Sequence, residues 1–321
     1  MRQNYEPKPL FVERMKKLLG EANYERYWKK VSEDSVRSIR TNTLKISPSN
    51  LKKRLEEKGW KITQPFKENL EIMFIESNLE PGELGRSLEH LLGYYYIQET
   101  ASMLPAIALN PKPGDLVLDL CAAPGSKTTQ IAAMMKNQGT IIANDPAMGR
   151  IKILASNLER CGASNAIITK KEGIALCKKL KENGFLFDKI LVDAPCSGEG
   201  NIWSVKKTLL MWNINNVKSL SKIQKKLLSS AIEILKVGGE IVYSTCTHAP
   251  EENEGVLDFA LKEFGERIKI EKISLPIECS PGIDFWEENK YEKNIAKSCR
   301  VYPHITNTEG FFMAKMRRRT R

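Results

Sequence analysis

Apolar residues after position 111 gather into short runs, LVLDL, TIIAN, AIIT, DKILVD and GEIVYST. Between these runs the apolar spacing lengthens to that of amphipathic helices. Such alternation predicts a parallel sheet covered on both faces, in which ligands collect at the carboxyl ends of the strands. The first part of the chain has another rhythm. Residues 1 to 30 pattern as one basic amphipathic helix, with Phe11, Met15, Leu18 and Leu19 on a stripe and Arg14, Lys16, Lys17, Arg26, Lys29 and Lys30 elsewhere. A strand-like RSIRTNTLKI (37 to 46), a helix opened by Ser47 and Pro48 that runs to about Gly59, and an extended EIMFIE (71 to 76) follow. The expected division is a small α+β unit over 1 to 108 and an α/β domain over 109 to 321.

Charge adds a partner. Among 321 residues, 50 Lys and Arg outnumber 39 Asp and Glu, for a net charge of +11. A surplus of this sign favours binding a polyanion, with nucleic acid first; the alternative is a surface charged for solubility or heat resistance. No apolar run reaches the length of a membrane span, and MRQNYEPKPL lacks the apolar core of a signal peptide, so a cytoplasmic protein is expected. The cysteines at 121, 161, 177, 196, 246, 279 and 299 form no C-x-x-C pair, and only three histidines accompany them. Neither a disulfide framework nor a metal site is expected, which leaves reactive or buried thiols.

The stretch DLVLDLCAAPGSKTTQIAAMM places strand, small-residue turn and helix in succession. Cys121, Ala122, Ala123, Pro124, Gly125, Ser126 and Lys127 leave room for a ligand at the backbone, where amides at a helix start can donate. G-x-G-x-x-G is absent, and Gly125-Ser126-Lys127-Thr128 lacks the order of a P-loop, which disfavours a dehydrogenase or NTPase. Asp145, closing IIAND, is a candidate for the two hydroxyls of a ribose, with Arg150 in support. S-adenosylmethionine suits this turn, having a ribose and an adenine but no pyrophosphate.

Asp193-Ala194-Pro195-Cys196 and Ser244-Thr245-Cys246 put two thiols at strand ends, on the rim where the turn opens. Methylating carbon 5 of cytosine requires a thiolate to add at carbon 6, and Asp193 is placed to stabilise the charge that develops on the ring. CAAPGSKT, DAPCSG and YSTCT, in this order, resemble the Nop2/Sun (RsmB-like) family of RNA cytosine-C5 methyltransferases, in its archaeal-type tRNA branch. The likeness extends from SIRTNTLKIS through YYIQETASMLPAIAL to RVYPHITNTEGFFMAKM. It implies a Rossmann-like class I methyltransferase sheet with a small N-terminal α+β unit that contacts RNA. It also implies S-adenosylmethionine as cofactor, held by the 121 to 127 turn, Asp145, Arg150, an acidic residue near 172 and Asp193. Cys246 is the implied nucleophile and Cys196 the residue that helps release product; the reverse assignment, as in DNA cytosine methyltransferases, is the alternative. Lys127 is a further candidate to reach the reacting base. Two positions depart from the family pattern: Ser126 stands where a second glycine is usual, and Glu172 where aspartate is common.

Lys206, Lys207, Lys218, Lys222, Lys225 and Lys226, with Arg317, Arg318, Arg319 and Arg321 at the end, are candidate phosphate contacts; a solvated helix and a frayed tail are the alternative. Trp203 and Trp212 flank the first of these lysines and are candidates to stack on bases, although a tryptophan in a helical stripe is more often core. The expected reaction is 5-methylcytosine formation in transfer RNA, with ribosomal RNA as rival substrate. A non-catalytic RNA-binding or assembly factor, and a methyltransferase for a small molecule or protein, are the readings from other classes.

Overall fold

The computed structural model describes residues 5–319; Arg321 of the basic tail and residues 1–4 of the N-terminal stretch lie outside the described residues. A small sheet is built from β1 (Arg37–Thr41), β2 (Ile62–Thr63), β3 (Ile72–Ile75) and β4 (Tyr95–Ile97), in the order β2-β3-β1-β4 and antiparallel throughout. Its core is Ile39, Leu51, Leu55, Trp60, Ile62, Met73 and Tyr95, closed over by the helix Pro48–Glu57, whose N-terminus Ser47 caps by accepting from Asn50 N at 3.3 Å.

The large sheet begins with five parallel strands, β5 (Leu116–Asp119), β6 (Thr140–Asn144), β7 (Ala166–Thr169), β8 (Phe187–Asp193) and β9 (Leu235–Thr245), ordered β9-β8-β5-β6-β7. The remaining strands are β10 (Ile268–Glu271), β11 (Ser280–Pro281), β12 (Phe285–Trp286), β13 (Asn289–Lys290), β14 (Cys299–Val301) and β15 (Phe311–Arg318). β12 and β13 form a separate hairpin, while β15 lies antiparallel on β9 and carries β10 and β14. The sheet is therefore mixed where a purely parallel one was expected. GFFMAKM supplies the antiparallel strand, and its run of apolar residues follows from burial on both faces. From β5 the chain winds outward through β6 and β7, then crosses back to β8 and β9. The crevice at the carboxyl ends of β5 and β8 is thus the switch point where such sheets bind ligands.

The basic amphipathic stretch is two helices, Pro9–Leu19 and Glu21–Ser32, broken at Gly20, whose φ of 77° no helical residue can adopt. Their apolar stripe packs on the later domain: Phe11, Met15, Tyr27 and Val31 share a core with Ile202, Leu209 and both tryptophans. Trp203 and Trp212 are core residues, and their indole N–H groups donate to Glu33 O at 3.1 Å and Glu199 Oε1 at 2.6 Å. The helix Thr100–Leu109 likewise packs with Val117, Ile131 and Leu191, inside the large domain's core, so the small unit's own packing ends ahead of it.

A seam of buried polar groups joins the two sheets. Arg40 of β1, only 2% exposed, donates to Ser126 O at 2.6 Å and Thr129 Oγ1 at 2.9 Å in the helix that follows the β5 turn. Asn42 donates to Gly93 O at 2.8 Å and to Cys161 O at 2.7 Å. The RTN segment therefore fastens the small unit to the large one.

Two expectations are corrected by register. β15 pairs with β9 so that Arg317 faces Glu240, at the end of the sheet opposite the switch point. There Arg317 pairs with Glu240 and Glu271, and Arg318 donates to Glu233 O at 3.1 Å and Leu235 O at 2.6 Å. These two arginines close a strand end instead of reaching toward a ligand at the crevice. Cys279 and Cys299 were expected as thiols but are joined in a disulfide, because the β11–β14 pairing sets Pro281 opposite Cys299 and brings the two Cα atoms to 5.1 Å. Non-reducing peptide mapping of the purified protein should recover this cross-link, and Cys279→Ser should lower stability by about 3 kcal/mol for a loop of this length, measured by denaturant unfolding.

Candidate active site

The turn after β5 is shaped by small residues and one left-handed glycine. The Ala123–Pro124 peptide is cis, and Gly125 has φ 105°, where a side chain would be strained; its added Cβ would also lie 3.0 Å from Leu154 Cδ1. Ser126, the unusual residue of this motif, is not among the positive-φ residues and begins the helix Ser126–Met134, so the turn accommodates it. Asp119, at the end of β5, is buried and accepts from Thr128 Oγ1 at 2.7 Å; desolvation pushes its carboxyl up to about 7. Desolvation also raises the Cys121 thiol, which leaves it a small packing residue rather than a nucleophile.

Asp145 follows β6 and is fully buried. Its Oδ1 accepts from Ala147 N at 2.9 Å. Its Oδ2 has Arg150 Nη1 at 3.3 Å as an ion-pair neighbour, yet no hydrogen bond of acceptable angle reaches it. Arg150 spends its other nitrogen on Ala123 O at 2.5 Å, which ties the residue to the turn. A buried carboxylate oxygen without a donor, beside a turn of small residues, fits the ribose hydroxyls of S-adenosylmethionine. Glu172 is placed otherwise: exposed, it caps the helix Gly173–Glu182, accepting from Ile174 N at 3.2 Å and Ala175 N at 2.9 Å, so both its oxygens are already committed.

The parallel pairing of β8 with β9 sets Asp193 opposite Ser244, and the residues just beyond bring Cys196 Sγ to 2.9 Å from Cys246 Sγ. The bond to Cys246, with burial, holds the Cys196 thiol far above its ordinary value. Cys246 Sγ accepts a further hydrogen bond from Asn201 Nδ2 at 3.3 Å. Asp193 accepts from Ser244 Oγ at 2.7 Å and from Lys127 Nζ at 2.7 Å, and Lys127 also donates to Ser102 Oγ at 3.0 Å. The lysine and the aspartate thus stand as one paired unit, reaching from the cofactor turn to the thiol pair.

Gly200 and Gly310 went unnoticed in the sequence. Gly200 N donates to Cys246 O at 2.9 Å and Gly310 N donates to Gly200 O at 3.0 Å, so two backbones cross directly behind the thiol. A Cβ on Gly200 would fall 2.0 Å from Gly310 O and 3.0 Å from Cys246 O. Their nearness to DAPCSG and GFF was the available signal.

A Rossmann-like sheet with a nucleoside turn, a buried ribose-ready carboxylate and strand-end thiols at one switch point defines an S-adenosylmethionine-dependent methyltransferase. Residues 106–317 match the family of the 16S rRNA methyltransferase RsmB/F, and residues 8–100 match the N-terminal domain of 16S rRNA methyltransferase RsmF. The chain belongs to this RsmB/F family, and is an RNA cytosine-C5 methyltransferase whose methyl donor is S-adenosylmethionine.

Among its relatives is the tRNA (cytosine(49)-C(5))-methyltransferase of Pyrococcus abyssi, 41% identical over 308 residues that cover 96% of this chain and 95% of the relative. The ribosomal RNA small subunit methyltransferase F of Vibrio campbellii is 38% identical over 313 residues, 97% of this chain but 63% of the relative. This chain therefore spans less than two thirds of that bacterial protein. Among solved structures, a methyltransferase homolog protein from Pyrococcus horikoshii aligns with a TM-score of 0.83 at 34% identity, covering 98% of this chain and 95% of that one. NSun6 from the same organism, with SFG, aligns with a TM-score of 0.82 at 27% identity, covering 98% and 99%.

Asp145→Asn should weaken S-adenosylmethionine binding at least about tenfold by titration calorimetry, because a charged acceptor is lost from a buried site. Gly200→Ala should leave cofactor affinity nearly intact while reducing kcat more than about tenfold, because the added methyl displaces the backbone that carries Cys246.

Proposed function

We propose that this methyltransferase converts one cytosine of a transfer RNA to 5-methylcytosine through a covalent adduct between Cys246 and carbon 6 of the base. The observation that carries the reading is the thiol pair, Cys196 Sγ 2.9 Å from Cys246 Sγ, beside the Lys127–Asp193 unit. The Cys246 thiolate adds to C6, and the electron pair displaced from the C5–C6 bond makes C5 nucleophilic. In this reading the ring's N3 edge meets Lys127 and Asp193, and a hydrogen bond from this unit stabilises the charge gathering on the ring. S-adenosylmethionine, when bound in the 121 to 127 turn beside Asp145 and Arg150, supplies the electrophilic methyl group. After C5 is methylated, its proton passes to a base, the C6–S bond breaks and Cys246 leaves as a thiolate. Cys196, in hydrogen-bond contact with that sulfur, assists the departure.

Transfer RNA is favoured by the match to the transfer-RNA relative, 41% identical over 96% of this chain. Exposed Lys207, Lys218, Lys222 and Lys226 give phosphates a charged face, and the small N-terminal unit offers a second RNA contact. Lys206 is not part of that face, since its ammonium is half-buried against Val31 O. A cytosine must leave any stack to reach the thiols, so a loop or a melted stem is the expected target. Ribosomal RNA is the second reading, favoured by the family match itself.

The test is transfer of labelled methyl groups to unmodified tRNA and rRNA transcripts, followed by nucleoside mass spectrometry. Wild type should make 5-methylcytosine in tRNA, Cys246→Ala should make none, and Cys196→Ala should accumulate an RNA adduct that survives denaturing electrophoresis. Labelling of rRNA alone would replace the substrate, and full activity in Cys246→Ala would overturn the mechanism. Lys127→Met should lower kcat about a hundredfold with little change in RNA affinity, the signature of a group that acts in the transition state.

A further inference from the structure

The turn between β9 and the helix Glu254–Phe264 carries two fully buried side chains, Glu252 and Asn253, whose hydrogen bonds reach both thiol-bearing loops. Asn253 spans Cys246. Its Oδ1 accepts from Thr245 Oγ1 at 2.6 Å and its Nδ2 donates to Thr247 O at 3.0 Å, so the residues on either side of the thiol are both held. Cys196 is spanned in the same way by a pair of side chains. Gln224, fully buried in the helix Ile214–Glu233, donates through Nε2 to Pro195 O at 2.8 Å and to Glu252 Oε2 at 2.7 Å. The same Glu252 oxygen accepts from Ser197 N at 3.1 Å.

Glu252 and Asn253 are neighbours in the chain, so the two brackets share one stretch of backbone. That stretch is itself tied down, by Tyr243 Oη donating to Glu252 O at 2.5 Å and Ser221 Oγ donating to Glu251 O at 2.6 Å. The 2.9 Å between the two sulfurs is therefore referred to a common anchor. Gln224 Oε1 and Glu252 Oε1 are buried without a hydrogen-bond partner among the described residues. Two apolar side chains of similar volume would avoid that cost, so the polar pair is explained by the loop it holds and not by stability.

We propose that Asn253 and the Gln224–Glu252 pair are positioning residues that divide the reaction between them: Asn253 aligns the Cys246 sulfur for attack on C6, and the pair aligns Cys196 for release of the methylated base. This rests on the reading of Cys246 as the nucleophile and Cys196 as the residue that assists its departure. A misplacement of about 1 Å at a reacting group slows its step by about a hundredfold. Because each bracket flanks one cysteine only, the two steps can be impaired separately.

Rapid-quench single turnovers of the full chain, with labelled S-adenosylmethionine and an RNA transcript that wild type methylates, resolve adduct formation from release on denaturing gels. Gln224→Met, which keeps the length of the side chain and loses its donor, should form adduct within about threefold of the wild-type rate and release it about tenfold or more slowly. Glu252→Leu should behave likewise, whereas Glu252→Gln, whose amide oxygen can take both bonds of Oε2, should release within about threefold of wild type. In a Cys196→Ala background Gln224→Met should add nothing, because it acts through that cysteine. Asn253→Ala should instead slow adduct formation about tenfold or more and leave release of the adduct unchanged. Asn253→Asp, which keeps the acceptor for Thr245 and loses the donor to Thr247, covers the case in which the alanine variant fails to fold. Wild-type kinetics in Gln224→Met or in the Asn253 variants, or equal slowing of both steps, as general loosening would give, overturns the division of roles; Cys196→Ala still trapping adduct then leaves the mechanism standing. A Cys196→Ala protein that traps no adduct sinks both.

Discussion

Everything at the active site depends on the parallel pairing of β8 with β9 in one register. That register sets Asp193 opposite Ser244, and two short continuations then place Cys196 and Cys246 within hydrogen-bond distance although 50 residues separate them. Because side chains alternate along a strand, slipping either strand by one residue would turn these groups to the other face. β5 on the other side of β8 adds the third component, the turn from which Lys127 reaches Asp193. Three strand ends thus converge at the switch point of the sheet, and none of them builds a site alone.

The small N-terminal unit is bound to this centre through its polar seam. Arg40 is buried without a carboxylate among its hydrogen-bond partners, and burial lowers its guanidinium to about 10. Its bond to Ser126 O nevertheless holds the first turn of the helix that also carries Lys127. A change in the orientation of the small sheet is therefore felt at the start of the cofactor helix. Gly93, whose Cβ would lie 1.9 Å from Arg160 O, allows the backbones along the same seam to approach this closely. The small unit and the turn after β5 are in this way mechanically joined.

Burial sorts the cysteines by task. Cys161 and Cys177 are buried with raised thiols, and Cys279 is linked to Cys299, whereas Cys196 and Cys246 lie in hydrogen-bond contact at a strand-end crevice. Much of this was legible before any coordinates. The five parallel strands, the cofactor turn, Asp145 and the two strand-end thiols follow from local patterns, since each lies within a few residues of a strand whose apolar run announces it. Trp203 and Trp212, for which core was the commoner of two readings on helical spacing, are core residues.

What the sequence determined by itself was which residue types stand at which strand ends, because strand, turn and helix are written locally in hydrophobic period and small-residue turns. What only the tertiary structure decided was everything that depends on contacts between distant segments. The Cys279–Cys299 bond, the antiparallel β15 and the sequestering of Arg317 and Arg318 come from strand register, which no local period specifies. Glu172 became a cap because its nearest donors are the amides of the helix it opens. Gly200 and Gly310 acquire meaning only where two backbones cross behind Cys246. Close packing of segments far apart in the chain made those assignments, and packing is a property of the folded volume rather than of any stretch of sequence.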